Sequence, residues 1–263
     1  ADNAVSCGAC GACREGRYEN CMDIRSVGTV NCWPGSFAEY MLIPERHMYH
    51  IPDSISFDNA ALLEPLSIAY GAFRGKAPDT VVVIGTGPIG LSAVALARTY
   101  GAREIIMVGR RDAKLCVAEN LGATKLVNTQ MENAITAVRA HTSGRGADLV
   151  VEASGAETML AQTIEMTRKF GRVAAVAFYE KLIGGVPIDR LVLEEITLQG
   201  VAGCFGNLRS VLVLMEERNL DLTPMITHRV AFENCLDFFR NDAQYRDAKI
   251  KVMVEYMEEQ QYG

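Results

Sequence analysis

The run Val81-Val82-Val83-Ile84-Gly85-Thr86-Gly87-Pro88-Ile89-Gly90 places a β-branched stretch directly before a glycine turn and a helix pattern. G-x-G-x-x-G alone is a weak signal. With a strand before it and a helix after it, it reads as the opening turn of a dinucleotide-binding α/β unit. The glycines then supply a tight turn, close approach to a pyrophosphate and close helix packing. The helix N-terminus offers unpaired N–H groups and a partial positive charge to the diphosphate. Gly85, Thr86, Gly87, Pro88, Ile89 and Gly90 are the candidate cofactor-binding residues on this reading, against the alternative of a simple glycine turn.

From Thr80 onward the chain alternates strand and helix: Thr80–Ile84, a helix ending near Gly101, then strands at Glu104–Val108, Lys125–Asn128, Asp148–Ala153 and Arg172–Phe178. A helix over Ala113–Leu121 has Gly122 placed to cap it. Such alternation predicts a doubly wound parallel sheet with helices on both faces, because right-handed crossovers put them there. Residues 80–97 carry no charge, yet Gly85, Gly87, Pro88 and Gly90 divide that run into strand and helix, unlike a membrane span. After Gly203 the pattern loosens into a helix (Leu208–Arg218), a strand (Ile226–Phe232), a further helix and a last strand (Lys249–Tyr256), with Pro224 marking a break. The start, up to Glu64, is rich in Gly, Pro and Cys with short apolar runs such as Phe37–Ile43, and reads as loops and strands. A first domain built from both chain ends, 1–65 and 204–263, with the dinucleotide domain at 66–203 inserted between them, is the expected organisation.

Folds of this kind that take NAD place Asp or Glu at the end of the second strand to accept from the ribose hydroxyls. Here Gly109, Arg110 and Arg111 stand in that place. A carboxylate would repel the 2′-phosphate of NADP, whereas a small residue leaves room and an Arg fork binds phosphate bidentately. NADP(H) is therefore expected over NAD(H), with Lys114 as a further contact. Solvated loop arginines are the alternative.

Four of the eight cysteines form the cluster Cys7-x2-Cys10-x2-Cys13-x7-Cys21, with Gly8, Gly11 and Gly16 between them. Four thiolates in one short loop suit closed tetrahedral Zn2+, leaving no position for a substrate, so the site is structural in character. Free or paired cysteines are the alternative reading. Cys32, Cys116, Cys204 and Cys235 read as small buried apolar residues, with a site contact conceivable at Cys204 in its glycine-flanked turn.

A net charge of −6 and a pI near 5.4 provide no basic face for nucleic acid or an anionic membrane. No basic segment followed by an apolar stretch opens the chain, so a cytoplasmic protein is expected. His47, His50, His141 and His228 show no ligand spacing and read as structural. Asp189–Glu195 and Glu255–Glu259 read as solvated charge. Glu64-Pro65 is a common turn-forming pair, yet it sits at the junction into the dinucleotide domain, where a carboxylate can contact a catalytic metal.

Taken together, the cysteine cluster, Glu64-Pro65-Leu66-Ser67 and Gly85-Thr86-Gly87-Pro88-Ile89-Gly90 resemble the zinc-dependent medium-chain alcohol dehydrogenases. Within them the sequence is similar to the sorbitol and polyol branch, and more loosely to threonine dehydrogenases. Phe37-Ala38-Glu39-Tyr40, Glu152-Ala153-Ser154-Gly155 and Ile226-Thr227-His228-Arg229 add to the likeness. The resemblance implies a Rossmann domain inserted in a partial GroES-like β-barrel catalytic domain, with substrate and zinc in the cleft between them. It implies hydride transfer between NADP(H) and a secondary alcohol, polyol or ketone, with a zinc ion polarising the oxygen. Glu64 would ligate that zinc or touch its water, and Ser154 would join the cofactor site. The family's other catalytic ligands and proton-relay residues precede the cysteine cluster, so an N-terminally truncated chain with barrel strands missing is expected. Gly203 and Cys204 align where polyol enzymes tend to carry Arg-Tyr. A truncated, non-catalytic NADP-binding zinc protein and a threonine dehydrogenase-like enzyme are the competing expectations. The resemblance also implies a homodimer or homotetramer joined near Ile183–Gln199.

Overall fold

The computed structural model describes residues 1–29, 33–73, 75–76, 78–202 and 207–256. Cys32, Gly203, Cys204, Glu258 and Glu259 lie outside the described residues.

Six parallel strands form the central sheet: β1 (Thr80–Ile84), β2 (Glu104–Gly109), β3 (Lys125–Asn128), β4 (Ala147–Glu152), β5 (Thr167–Ala175) and β6 (Thr197–Gly200), in the order β3-β2-β1-β4-β5-β6. Thr80 pairs with Glu104 and Ile84 with Val108, while Val81 to Ile84 pair on the other side with Leu149 to Glu152. All five residues of β1 are buried, as expected of a central strand covered on both faces.

The two-residue side-chain period of the strands divides the interior into two cores. Val81, Val83, Ile105, Met107, Leu149 and Val151 point into one, against Leu91 and Leu96 of α2 (Pro88–Thr99), and against α1 (Leu63–Phe73) and α7 (Leu208–Glu217). Val82, Ile84, Ile106, Val108 and Val150 point into the other, against Ala134 and Val138 of α4 (Ala134–His141) and Met166 of α5 (Met159–Met166). Helices following β1 and β4 thus cover opposite faces. Strand order reverses between these two strands, which opens a crevice at their carboxyl ends. A right-handed first crossover needs α2 close to the sheet, and Pro88 at its first turn, with Gly87 as N-cap, starts it without a wasted donor.

Several local expectations change. Phe37–Ile43 forms bends rather than a strand, with Tyr40 and Leu42 82% and 77% exposed. Among the described residues it has no strand partner, and an apolar run without one does not make a ladder. The strands of the N-terminal segment are the antiparallel residue pairs Ala4–Val5 and Arg25–Ser26. The strand expected at Arg172 begins at Thr167 and passes through Phe170, whose φ of +59° marks an irregular turn within it. Asp189–Glu195 is not simply solvated: α6 (Ile188–Leu193) carries Arg190, which bonds to Glu165 and, at 3.2 Å, to Glu194. Cys116 is exposed rather than buried, because it lies on the outer face of α3 (Asp112–Asn120), whose Leu115 and Ala118 face the core; Cys235 is buried as expected. Glu64 and Pro65 do not form a turn but open α1, which continues unbroken through the expected boundary at residue 65. Proline in a first helical turn forfeits no hydrogen bond. The last strand, Lys251–Glu255, runs parallel to Ile226–Ala231. No described helix is long and apolar enough to cross a membrane.

Candidate dinucleotide cleft and cysteine metal centre

At the carboxyl ends of β1, β2 and β4 lies a cleft of about 390 Å3, lined among others by Gly85, Thr86, Gly87, Gly109, Arg110, Arg111, Lys114 and Ser154. The three glycines of the turn do different things. Gly85 has φ +106°, and a Cβ there would sit 2.8 Å from the backbone of Ala153 and Ser154, so the turn abuts the end of β4. A Cβ at Gly90 would lie 1.9 Å from the Gly85 carbonyl oxygen, so Gly90 lets α2 close on the turn. At Gly87 a Cβ would meet nothing within 4 Å. Packing does not demand glycine there, and the open space faces the cleft ahead of the α2 N-terminus, where backbone N–H groups await an anion. Pro88, Ile89 and Gly90 do not line the cleft. They build that helix end, with Ile89 packed on the core.

The basic end of the cleft follows β2. A Cβ on Gly109 would lie 2.6 Å from the Thr86 methyl, so Gly109 is small because it seats the glycine turn. Arg110 is exposed, and Arg111, 24% exposed, donates from Nε to Asp247 Oδ1 at 2.8 Å. Burial, then the charges of Arg111 and Lys249, hold the Lys114 ammonium below the usual lysine range, while Asp247 acts in the opposite direction. A site that concentrates positive charge in this way is prepared for an anion of more than one charge.

Ser154 forms the opposite wall. Its N–H donates to Glu152 Oε1 at 2.9 Å, its hydroxyl donates to the same oxygen, and Tyr179 donates to Glu152 Oε2 at 2.7 Å. Burial, then the bond to Glu152, drives the Tyr179 hydroxyl far above its ordinary pKa. The fully buried Glu152 carboxylate thus ties the loop after β4 to the loop after β5. Thr129, Ala156 and Met159, absent from the sequence-based site, also line the cleft. Glu152 had a usable signal, a carboxylate closing an apolar strand. Asp247 had none, since 136 residues separate it from Arg111.

In the N-terminal lobe the Sγ atoms of Cys7, Cys10, Cys13 and Cys21 all lie within 4.8 Å of one another, with Cys10 and Cys13 at 3.5 Å and Cys7 and Cys13 at 3.9 Å. Zn–S bonds of about 2.3 Å in a tetrahedron give sulfur separations of about 3.8 Å, so the donor set fits one zinc ion. Backbone N–H groups already point at sulfur: Cys10 N donates to Cys7 Sγ at 3.3 Å and Cys7 N to Cys21 Sγ at 3.2 Å. A hydrogen bond with the Met22 backbone foremost lowers the Cys10 thiol to about 6, whereas burial pushes Cys13 up to about 11. Four thiolates at these separations repel one another unless a cation joins them. Gly8 and Gly16, at φ +75° and +76°, turn the loop around the cluster. The lobe is moored by His47, which is structural: its Nε2 accepts from Ser6 N at 3.1 Å and its Nδ1 bonds the Asp2 carboxylate at 3.0 Å.

Glu64 lies apart from both sites. Asn3 Nδ2 donates to its Oε1 at 2.9 Å, and it lines a separate hollow of about 230 Å3 with Tyr49, Ile51, Leu208 and Leu212. Among the described residues Glu64 belongs to no group of three or more side chains able to hold a metal. The described residues therefore do not by themselves form a catalytic zinc site.

Residues 1–53 match the alcohol dehydrogenase GroES-like domain and residues 88–217 the zinc-binding dehydrogenase family. The chain is 33% identical over 237 residues to L-threonine 3-dehydrogenase of Bacillus subtilis, covering 89% of this chain and 68% of that protein. It is 29% identical over 253 residues to sorbitol dehydrogenase of the same organism, covering 95% and 71%. A putative zinc-binding dehydrogenase from Sinorhizobium meliloti, solved bound to NADP, superposes with a TM-score of 0.84 at 28% identity, over 96% of this chain and 75% of that one. With a parallel sheet in this strand order, a GroES-like segment before it and these relatives, the chain belongs to the zinc-containing medium-chain alcohol dehydrogenase family.

Proposed function

We propose that the protein is an oxidoreductase that moves a hydride between NADP(H) and a secondary alcohol, polyol or the matching ketone. The observation that carries this reading is the basic end of the cleft, where Arg110, Arg111 and Lys114 stand in place of the ribose-binding carboxylate. Bound there, the nicotinamide would supply the hydride chemistry. The protein's own part is to hold the dinucleotide. The Gly85–Gly87 backbone and the α2 N-terminus receive the diphosphate, Arg110, Arg111 and Lys114 receive the 2′-phosphate, and Ser154, fixed by Glu152, bounds the opposite wall. Cys7, Cys10, Cys13 and Cys21 hold a structural zinc that shapes the lobe. Glu64 is reserved for a catalytic metal whose remaining ligands are not among the described residues, and no step is assigned to it.

The division into a catalytic domain at 1–65 and 204–263 and a dinucleotide domain at 66–203 belongs to the same proposal, with α1 as the shared helix. So does a homo-oligomer, supported by the exposed Leu198 on the edge strand β6 and the exposed Ile188, Val192 and Leu193 of α6 before it. A second reading, oxidation of the secondary alcohol of L-threonine, is favoured by the 33% identity to the B. subtilis enzyme.

The test is a coupled measurement of binding and turnover. Zinc-loaded protein is titrated with NADPH, then given NADP+ with sorbitol, xylitol, butan-2-ol or L-threonine while NADPH fluorescence is followed. Turnover with a secondary alcohol supports the proposal, and turnover with L-threonine alone selects the second reading. Tight NADPH binding with no reduction of NADP+ by any of them makes the chain a binding protein without catalysis.

A further inference from the structure

Arg110 and Arg111 line two hollows at once: the dinucleotide cleft, and a shallower one of about 410 Å3 on its outer side shared with Asp112, Ala113, Gln130 and Asp247. Asp247 reaches this place from the segment before the last strand. Its carboxylate is 93% exposed, yet it accepts from Arg111 Nε at 2.8 Å. The neighbouring charges are committed differently. Lys249 pairs with Asp242, Asp112 accepts from Asn128 at 2.6 Å, and Lys114 lies in the field of Arg110, Arg111 and Lys249. Asp247 is thus the carboxylate placed directly against a guanidinium that borders the cleft.

Resting on the reading of the cleft as a 2′-phosphate site, we infer that Asp247 is a specificity-determining residue: it holds Arg111 in a competing ion pair and so restrains affinity for ligands carrying a 2′-phosphate. A phosphate seated between Arg110 and Arg111 must share the guanidinium with this carboxylate or displace it, and the two anions repel each other. The restraint is modest because an exposed ion pair is well screened. Removing it should tighten binding by about two- to fivefold. A ligand without the 2′-phosphate does not use Arg111 and should not respond.

The experiment uses adenosine 2′,5′-bisphosphate and 5′-AMP as probes, titrated calorimetrically into the unmodified protein, D247N, R111A and the double variant at low salt. Asp247 is exposed, so D247N should keep the fold, and equal thermal unfolding checks this. The inference expects D247N to bind the bisphosphate about two- to fivefold more tightly with 5′-AMP unchanged, and the gain to vanish when Arg111 is absent or salt is raised. If R111A weakens the bisphosphate while D247N leaves it unchanged or weaker, the inference falls and the reading of the cleft stands. If D247N tightens both probes alike, Asp247 acts as a diffuse charge and the inference also falls. If the unmodified protein binds the two probes alike, or R111A leaves the bisphosphate unweakened, the reading of the cleft as a 2′-phosphate site fails, and the inference with it.

Discussion

The dinucleotide cleft and the cysteine lobe, in one chain, are held by different forces. Behind the cleft stand two cores of Val, Ile, Leu and Met on either face of a six-stranded sheet, and burial of such side chains contributes about 1.5–3 kcal/mol each. The lobe has two strands of two residues, a single helical turn at Gly11–Arg14 and four thiols in its middle. Apolar burial therefore shapes the cleft before any ligand arrives, whereas on the proposal that its four sulfurs hold a zinc ion the lobe takes its form from that ion. Binding and scaffolding are consequently separable by experiment.

The largest effect should come from metal removal. Structural zinc in small domains contributes about 10–16 kcal/mol of apparent binding energy at neutral pH, which in the lobe is largely its ordering energy. C13S, or a strong chelator, should release close to one zinc per chain and open residues 1–29 to proteolysis, while NADPH affinity changes less than about twofold. Metal analysis showing no zinc in the unmodified protein would remove the lobe's side of the comparison. Equal loss of NADPH binding would show that the two regions are coupled.

Next come two glycines of one turn. G90A drives a methyl into the Gly85 carbonyl at 1.9 Å, so α2 must shift away from the turn. Overpacking of this kind costs about 1–3 kcal/mol, and thermal unfolding should fall accordingly, with dinucleotide binding lost. G87A adds a methyl to open space, and alanine for glycine at an N-cap costs roughly 0.5–1 kcal/mol. Its unfolding temperature should therefore fall less than that of G90A while NADPH affinity drops at least about tenfold. Unchanged affinity in G87A would show that the diphosphate does not pass over that residue. A smaller effect on stability than that of G90A belongs to Y179F, which leaves one oxygen of the buried Glu152 short of a donor and should lower stability by about 1–2 kcal/mol in chemical denaturation.

What the sequence reveals about these regions follows the range of the forces involved. Strand Thr80–Ile84 is legible to the residue because a β-branched run buried on both faces looks alike wherever it occurs, whereas the edge strand Lys125–Asn128, with only Val127 buried, is legible from its place in the strand-helix alternation. The cysteine set was legible because its ligands are close in sequence, and the structure does bring the four sulfurs together. Phe37–Ile43 misleads for the opposite reason: its apolarity suggests a strand, but a strand exists only where a partner supplies hydrogen bonds, and among the described residues no such partner pairs with it. Glu64-Pro65 carries the same ambiguity, since a turn and a helix start favour the same pair. The contacts that tune the cleft, Asp247 on Arg111 and Tyr179 on Glu152, join segments far apart along the chain and leave no local pattern.

The central claim is that the cleft prefers the 2′-phosphorylated dinucleotide because of its basic end, and NADPH and NADH titrations followed by fluorescence test it most directly. Charge-assisted hydrogen bonds contribute roughly 1.5–3 kcal/mol each, reduced here by exposure, so the unmodified protein should bind NADPH at least about tenfold more tightly than NADH at low salt. High salt should narrow the gap, and the R110A/R111A/K114A variant should nearly close it by weakening NADPH while leaving NADH within about twofold. Equal affinity for the two dinucleotides in the unmodified protein, or a preference that survives R110A/R111A/K114A, would contradict the account.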